Sequence, residues 1–465
     1  MTKPHQPQRE VSPVERIINE ATEKLKKGFE EFFSEEQPRG ISEAEAYFSH
    51  LIADVTLEVL REYYEELDRQ YLEDKASRKQ MGLRVEHRSV SREILTELGE
   101  LTYSRTYYRK ASGGYEYPVD RIVGISSYAR LSDRVSLSLA EVSSKMSYTK
   151  ASRYVTGEHV TKQTVMNKLR EAGPRAEPVE VRKVPELHID ADEDHVHLQN
   201  GQSTMVPLIS VYEGIERQGN RGVCRNVFHI SEYGKDPQTL WEEVSDEIER
   251  RYDLSEARIY LHGDGAAWIR EGLNWLPKSR FVLDSYHKNK AIKQALSGID
   301  RKAGSQYEHL IRQALKAGDR KQLRVLWNRL LERYPEREKT ISDNMGYLWN
   351  NIDAIAIAER DESARNGGCT EPHVSHVLSA RLSSRPMGWS RKTLRHLVPI
   401  LAAGGAAFET EEEQKASYPP ASQFLQTVRK SFLPNTLGLA DPDHSVTFPA
   451  RQYKVTPLFN ALRPF

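Results

Sequence analysis

The first eighty residues carry the spacing of long amphipathic helices. Apolar residues recur at steps of three and four, which predicts one apolar stripe along a helix. The stripe consists of Val14, Ile18, Ala21, Leu25, Phe29 and Phe32. Ser12 with Glu15, and Ser42 with Glu45, have the spacing of a capping box at a helix start. We therefore predict a helical region over residues 1–80, which would form either a hairpin or a dimer contact.

Residues 81–128 change to an alternating pattern rich in Thr and Tyr. Such alternation, followed by a Gly-Gly turn signal, predicts a small β-meander. Arg105 and Arg109 lie on it. A strand of Arg and Tyr can contact a phosphate backbone, although an ordinary solvated sheet face has the same composition.

Residues 129–180 return to a helical pattern and predict three short helices before a proline-rich linker. Thr161 is the expected N-cap of the last helix, with Val165 and Leu169 facing inward. The outward face is typical of a helix that enters the DNA major groove. Its residues are Lys162, Gln163, Thr164, Asn167 and Lys168. Because the preceding gap is longer than usual, the segment is helix-turn-helix-like.

Residues 181–400 predict an α/β domain. The pattern gives three strands, a helix, a strand, a helix and a strand, which is the order of a ribonuclease-H-like fold. In that fold the first and fourth strands are neighbours at the centre of the sheet. Helical residues at about 286–360 are expected to be an insertion before a last helix. Residues 401–465 have no assigned role.

The first strand of this domain carries a row of acids. Leu187 and Ile189 would point to one face, and Asp190, Asp192 and Asp194 to the other, because side chains alternate along a strand. Acids packed against a sheet are costly unless something offsets their charge. A divalent cation is the usual partner.

Two further acids would meet this strand in such a fold. Asp264 ends the fourth strand between two glycines, and Glu371 lies at a helix start after the insertion. Glu359 and Glu362 are alternatives for the third acid. Two-metal phosphodiester chemistry uses a carboxylate shared by ions about 3.5–4 Å apart, completed by other acids.

Composition narrows the class of protein. The chain has 67 basic residues (Lys and Arg) and 67 acidic residues (Asp and Glu), so its net charge is zero. Any basic surface must therefore be local. Cys224 and Cys369 are the only cysteines, which excludes a zinc finger and fits a reducing cytosol. The N-terminus lacks the apolar core of a signal peptide, and no run approaches the roughly 20 apolar residues of a membrane helix. We expect a cytoplasmic protein.

Four segments resemble the ISLre-type bacterial insertion-sequence transposases, which are DDE transposases related to the Mutator-like group. The segments are DADEDHVHLQ, YLHGDGAAWI, VLDSYHKNKAI and CTEPHVSHVLSARLSSRPMGWS. The similarity extends over roughly residues 80–400.

Carried over by position, the resemblance implies Asp192, Asp264 and Glu371 as a metal-binding triad. Asp284 and His287 match the D-x-x-H signature that such transposases carry after the second Asp. Strand parity does not separate Asp190 from Asp192, so Asp190 stays an alternative first acid.

The resemblance implies a DNA transposase that cuts the 3′ ends of an element and joins them to target DNA. Two Mg²⁺ ions, or Mn²⁺, would be its cofactors, and terminal inverted repeats and target DNA its partners. Further DNA contacts are expected from Lys288, Lys290, Arg381 and Arg385. Such enzymes usually act as homodimers or larger complexes. Two alternatives are a ribonuclease-H-like nuclease or resolvase without strand transfer, and a non-catalytic DNA-binding protein derived from a transposase.

Overall fold

The computed structural model describes residues 12–34, 39–219, 221–365 and 370–408. The chain divides into two compact units between Ser132 and Asp133. No helix within the described residues is both long and apolar enough to cross a membrane.

The N-terminal unit combines helices with a small sheet. Its elements are α1 Pro13–Phe33, α2 Ile41–Glu73, α3 Lys75–Gln80, β1 Leu83–Thr96, β2 Gly99–Lys110, β3 Tyr115–Glu116 and α4 Pro118–Ile122. The strands pair antiparallel in the order β1-β2-β3, so the predicted meander is confirmed.

Helices α1 and α2 form a hairpin within one chain. The Tyr47 hydroxyl donates to the Gly28 carbonyl at 2.8 Å, and Arg16 lies 3.3 Å from the Glu66 carboxylate. Of the two arrangements predicted for this region, the hairpin is therefore present.

The start of α1 agrees with prediction, and the start of α2 does not. Ser12 and Glu15 exchange both hydrogen bonds of a capping box. Helix α2 begins at Ile41, and Gly40 is its N-cap. The N–H of Gly40 donates to the Glu43 carboxylate at 3.3 Å. The capping box predicted at Ser42 is therefore wrong.

The second unit begins with the three predicted helices and continues into the α/β domain. Its first elements are α5 Asp133–Lys145, α6 Tyr148–Thr156, α7 Lys162–Glu171, β4 Gly173–Pro174, β5 Arg182–Lys183, β6 Glu186–His197, β7 Ser203–Tyr212, β8 Ile215–Gln218, β9 Arg221–Cys224 and β10 Phe228–Ile230. The next are α8 Pro237–Arg251, β11 Tyr252–Asp253, β12 Arg258–Gly263, α9 Ala267–Trp275, β13 Arg280–Leu283 and α10 Ser285–Ala295.

The remaining elements are helical apart from one short strand. The predicted insertion contains α11 Arg301–Ala317, α12 Arg320–Arg333, a 3₁₀ turn Pro335–Arg337, α13 Glu338–Asn350 and α14 Ile352–Arg360. After it come α15 Glu362–Arg365, α16 Thr370–Val374, a π-helical turn Ser375–Ser379, α17 Ala380–Leu382, α18 Arg391–Ala402 and β14 Ala406–Ala407.

A five-stranded sheet organises this unit, in the order β10-β7-β6-β12-β13. Strand β7 runs antiparallel to β6 and β10, whereas β12 runs parallel to β6 and β13. The strands predicted as first and fourth, β6 and β12, are therefore neighbours, and the unit has a mixed α/β fold.

The segment predicted as the third strand is divided. Strands β8 and β9 form a separate antiparallel hairpin, and only β10 joins the five-stranded sheet. The residues between the strands predicted as second and third are thus largely one arm of this hairpin.

Both faces of β6 are covered. Leu187 and Ile189 pack into an apolar core with helices α8 and α9, which also continues into the insertion. Val196 and Leu198, on the opposite face, pack with α18. The insertion therefore shares the core of the sheet domain.

Candidate active site

Asp264 and Asp284 follow the ends of two neighbouring parallel strands, β12 and β13. The N–H of Asp284 donates to the carbonyl of Gly263 at 3.0 Å, which brings the two strand ends together. Each carboxylate then turns back onto its own chain. Asp264 accepts from the N–H of Ala266 at 2.8 Å, and Asp284 accepts from the N–H of Tyr286 at 2.7 Å.

Strand β12 also approaches β6 closely at this end. A Cβ on Gly263 would lie 3.0 Å from the carbonyl oxygen of Ala191, so only glycine fits without displacement. Asp190 is paired with His262. Two residues further along each strand are Asp192 and Asp264.

Asp192 has an unfavourable electrostatic environment. Burial raises the pKa of its carboxyl to about 6, and the negative charges of Glu193 and Asp264 add to this rise. The backbone N–H of Glu193 and the imidazole of His287 oppose the rise in pKa. Asp192, Asp264 and His287 are therefore close enough to interact electrostatically.

The two acids that flank Asp192 have side-chain donors. Tyr212 donates its hydroxyl to Asp190 at 3.0 Å, and the Ser383 hydroxyl lies 2.9 Å from both carboxylate oxygens of Asp194. Within the described residues, the hydrogen bond to Asp192 comes from the adjacent backbone N–H of Glu193. This difference favours Asp192 over Asp190 as the first acid. Protein hydroxyls offset the charges of the other two.

Glu371 lies in α16, which packs against β6. Its side chain is exposed, whereas His373, two residues later, faces inward with Nδ1 4.0 Å from Asp190. Burial lowers the pKa of His373 to about 4. Among the described residues, no group of three His, Cys, Asp or Glu side chains is arranged to hold a metal ion. The structure thus brings Asp192 and Asp264 together but leaves Glu371 outside them.

Asp284 and His287 lie at the start of α10. Asp284 is the N-cap of this helix, which accounts for its position structurally. Nδ1 of His287 is buried and hydrogen-bonds to no described group. A buried imidazole nitrogen without a partner is costly, so His287 is free to bind a group placed beside Asp192.

The two alternatives for the third acid lie elsewhere. Glu359 forms an ion pair with Lys288 at 2.8 Å, which lowers the pKa of Glu359. Glu362 follows Asp361, and Asp361 accepts from the Tyr260 hydroxyl near the start of β12. Tyr260 and Asp264 are four positions apart along the chain, which corresponds to roughly 13 Å in a strand. Glu362 therefore lies near the opposite end of β12 from Asp264.

The insertion supplies a contact that sequence reasoning did not anticipate. The Tyr347 hydroxyl, in α13, donates to the backbone carbonyl of Asp264 at 2.6 Å. Burial and the charges of Asp264 and Asp284 raise the pKa of Tyr347, so the hydroxyl keeps its proton. No local pattern marks this contact, because 83 residues separate the partners.

Helix α7 has the cap and inward face that were predicted. Thr161 is its N-cap, and Val165 and Leu169 are fully buried. Two of its outward residues, Gln163 and Asn167, are exposed and hydrogen-bond to each other at 3.1 Å. Of the others, Lys162 is exposed, Thr164 bonds to Thr161, and Lys168 lies 2.6 Å from Glu171.

Two arginines that were predicted to contact DNA instead contact other groups of the protein. Arg105 is 5% exposed and lies 3.0 Å from the Asp120 carboxylate, over the ring of Tyr117. Arg381 is 8% exposed, and its guanidinium donates to the carbonyls of three residues. These are Ser143, Ser144 and Met146. Both side chains hold structure together, and we leave them out of the proposed DNA contacts.

The other expected DNA contacts differ in accessibility. Arg109, Lys290 and Arg385 are exposed. Lys288 is the paired partner of Glu359 and is only 12% exposed. An exposed cation costs little to move onto a phosphate, whereas Lys288 would first have to leave its carboxylate.

Comparison with known proteins gives a family without a described activity. Residues 37–415 match the model of an uncharacterised protein family, UPF0236. UPF0236 protein TTE2489 of Caldanaerobacter subterraneus subsp. tengcongensis is 34% identical over 437 residues, covering 91% of this chain and 92% of that protein. Another protein of that organism, whose name joins eleven locus labels, is 34% identical and covers 91% of each chain. The UPF0236 protein in the vanSb 3′ region of Streptococcus gallolyticus is 25% identical, covering 78% of this chain and 82% of that protein.

Proposed function

This chain belongs to the uncharacterised protein family UPF0236, and we propose that it is a DNA transposase. It would cut the 3′ ends of a mobile element and join them to target DNA. The observation that carries the proposal is the placement of Asp192 on β6 and of Asp264 directly after the neighbouring parallel strand β12. Within the described residues, each carboxylate accepts only a nearby backbone N–H.

The sheet supports a ribonuclease-H-like catalytic domain. Its order is β10-β7-β6-β12-β13, with β7 alone reversed. This is the strand order that the fold requires when β6, β7, β10, β12 and β13 are counted as strands one to five. The helical insertion then follows the fifth strand.

The residues fit a divalent cation in part. Burial raises the pKa of Asp192, and the charges of Glu193 and Asp264 add to the rise; a cation bound beside these carboxylates would offset this cost. In the proposal, Glu371 lies on the helix that packs against β6. It completes the set of metal ligands when its exposed side chain changes conformation. Two Mg²⁺ or Mn²⁺ ions held there would stabilise the attacking and leaving oxygens of a phosphodiester. His287 would orient a reacting group beside Asp192.

The names of the relatives favour a mobile sequence. One of them joins eleven locus labels from one strain, and others join two or four. A protein encoded at many places in one genome is expected of an element that copies itself. It is not expected of an ordinary housekeeping enzyme.

Helix α7 is the proposed reader of the element ends. Its exposed Lys162, Gln163 and Asn167 have the side chains that contact phosphates and base edges. Gln163 and Asn167 satisfy each other without DNA. Each could exchange that bond for a bidentate contact with adenine at small cost.

The test is cleavage of a labelled duplex that carries the DNA flanking this gene, in Mg²⁺ or Mn²⁺. We expect the wild type to cut it and to join a pre-cut 3′ end to a second duplex. Asp192→Asn, Asp264→Asn and Glu371→Gln should still bind DNA but lose cleavage, and Asp190→Asn is the matched control that should retain it.

Other outcomes identify the alternatives. Cleavage without joining indicates a nuclease or resolvase. Binding without cleavage indicates a DNA-binding protein derived from a transposase. If Asp190→Asn is inactive and Asp192→Asn is active, the first acid moves two residues along β6. If all four variants cut like the wild type, the proposed site is wrong.

A further inference from the structure

A cavity of 460 Å³ opens beside Asp264. Its wall joins the turn after β12 to the end of α13 and the residue that follows it. The lining includes Asp264, Gly265, Arg270, Tyr347, Asn350 and Asn351. The cavity is therefore polar, and a proposed catalytic acid forms part of it.

The guanidinium of Arg270 is held in one orientation in this wall. Its Nη2 donates to Oδ1 of Asn351 at 2.5 Å, and its Cζ lies 4.4 Å from the centre of the Phe281 ring. Asn351 is itself fixed, because it is 6% exposed and its amide donates to the Tyr347 carbonyl at 2.9 Å. A guanidinium held in this way loses little entropy when it binds a ligand.

Arg270 has no carboxylate partner among the described residues, although Asp264 lines the same cavity. Two arginines at the starts of β12 and β13 show the contrast. Arg258 lies 3.3 Å from Glu186, and Arg280 lies 3.7 Å from Asp361. A half-buried guanidinium without a counter-charge is unfavourable unless an anion binds it.

The turn beside Asp264 passes close to this guanidinium. Gly265 has a φ of +91°, which L side chains rarely adopt. A Cβ there would lie 3.0 Å from Oδ1 of Asn351 and 3.7 Å from Nη2 of Arg270. The backbone thus passes the guanidinium with no side chain between them.

We propose that Arg270 forms a phosphate-binding site for the DNA strand that Asp264 serves. The planar guanidinium would donate to two oxygens of a phosphodiester, and the exposed amide of Asn350 would supply a further donor. Asn351 and Tyr347 act as positioning residues. The inference rests on the proposed function for its ligand, a DNA phosphate. The shared chemistry would also admit free phosphate.

The first measurement is DNA affinity at several salt concentrations, with EDTA present so that no metal is required. Arg270→Ala and Arg270→Lys are compared with Arg280→Ala, a control arginine at the start of β13. For Arg270→Ala we expect about tenfold weaker binding and a salt slope smaller by about one. Arg270→Lys, which keeps the charge but loses the fork, should retain the slope and weaken binding about threefold. Arg280→Ala should bind like the wild type.

A second variant protects the test against misfolding. Asn350→Ala removes an exposed amide, so it should leave the thermal unfolding midpoint unchanged and weaken DNA binding two- to threefold. Inorganic phosphate at millimolar concentration should compete with DNA at the wild type if the site also admits free phosphate. Without competition, the site is specific for the DNA backbone.

The outcomes separate this proposal from the preceding one. If folded Arg270→Ala binds DNA with the wild-type affinity and salt slope, the phosphate site is wrong even if the wild type cuts DNA. If Arg270→Ala weakens binding but the wild type never cuts or joins DNA, the phosphate site stands and transposition fails. If the wild type binds no DNA, both proposals fail.

Discussion

The two ends of the central strands β12 and β13 handle charge differently. At their starts, two arginines have carboxylate partners. Arg258 pairs with Glu186, Arg280 pairs with Asp361, and the Tyr260 hydroxyl donates to Asp361 at 2.7 Å. These groups therefore satisfy one another at this end of the strands.

At their ends, the charges have no ion-pair partner among the described residues. Asp192, Asp264 and Asp284 accept backbone N–H groups, and Arg270 bonds to a neutral amide. The same sheet therefore has one end where arginines pair with carboxylates, and another end where the carboxylates of the described residues accept backbone N–H groups. Unpaired charge at strand ends is more informative about function than the presence of charge alone.

The largest difference should appear when one acid is neutralised at each end. We expect Asp264→Asn to lower the single-turnover rate of DNA cleavage by at least about 10³-fold, because a proposed metal ligand is lost. Asp361→Asn should change that rate by less than about threefold, since its partners lie at the paired end. Equal losses in the two variants would mean that the ends do not differ in function.

A smaller contrast comes from two tyrosine hydroxyls. Tyr347→Phe frees the carbonyl of Asp264 and should reduce cleavage by about 10- to 100-fold, the usual effect of removing a group that orients a ligand. Tyr260→Phe removes the donor to Asp361 and should cost about 1 kcal/mol of unfolding free energy without affecting cleavage. Cleavage rates and urea unfolding of both variants would decide it. A Tyr347→Phe variant that cuts at the wild-type rate would refute the orienting role.

The smallest contrast is in the pH dependence of stability. Burial raises the pKa of Asp192 to about 6, above its unfolded value. Its ionisation therefore costs stability as pH rises from about 4 through 6. Asp192→Asn should raise the unfolding free energy by about 1 kcal/mol at pH 7.5, and the gain should vanish near pH 4.

Asp361 should show the opposite sign. Burial alone would raise the pKa of Asp361, but hydrogen bonds from Tyr260, Ala364 and Ser363 lower it below its ordinary value. Its stabilisation is present above the unfolded pKa and is lost as pH falls through the folded value. Asp361→Asn should thus lower the unfolding free energy at pH 7.5, by about 1 kcal/mol or less. Denaturant unfolding of the two variants at several pH values measures both slopes, and slopes of the same sign would contradict the comparison.

Sequence patterns predicted the parts of this chain that local physics determines. The capping box at Ser12, the meander and the inward face of α7 each follow from spacing over a few residues. The neighbouring positions of β6 and β12 were predicted from the order of strands and helices along the chain. The start of α2 was missed because two overlapping capping signals compete there. The hairpin β8–β9 was missed because β8 has the polar composition of a loop.

Long-range partners could not be predicted in the same way. The sequence around a strand arginine is the same whether its side chain contacts a phosphate or a carboxylate such as that of Asp120. The burial of Arg105 could therefore not be predicted from the sequence. The donors to Asp190 and Asp194 are single hydroxyls 22 and 189 residues away. Arg270 and Tyr347 carry no motif. Arg270 is distinguished by the absence of an ion pair among the described residues, and Tyr347 by a hydrogen bond to a residue 83 positions away.

The distance in sequence between Asp194 and Ser383 has a consequence for synthesis. Strand β6 is finished by residues made much later, since Trp389 also exchanges backbone hydrogen bonds with His197 and Gln199. At 5–20 residues per second, a ribosome needs roughly 10–40 s to produce them. Until then the acidic strand lacks one face of its core. A gene copy interrupted between codons 371 and 383 would therefore encode a chain that has the proposed acids but lacks Ser383 and Trp389, which complete the surroundings of β6.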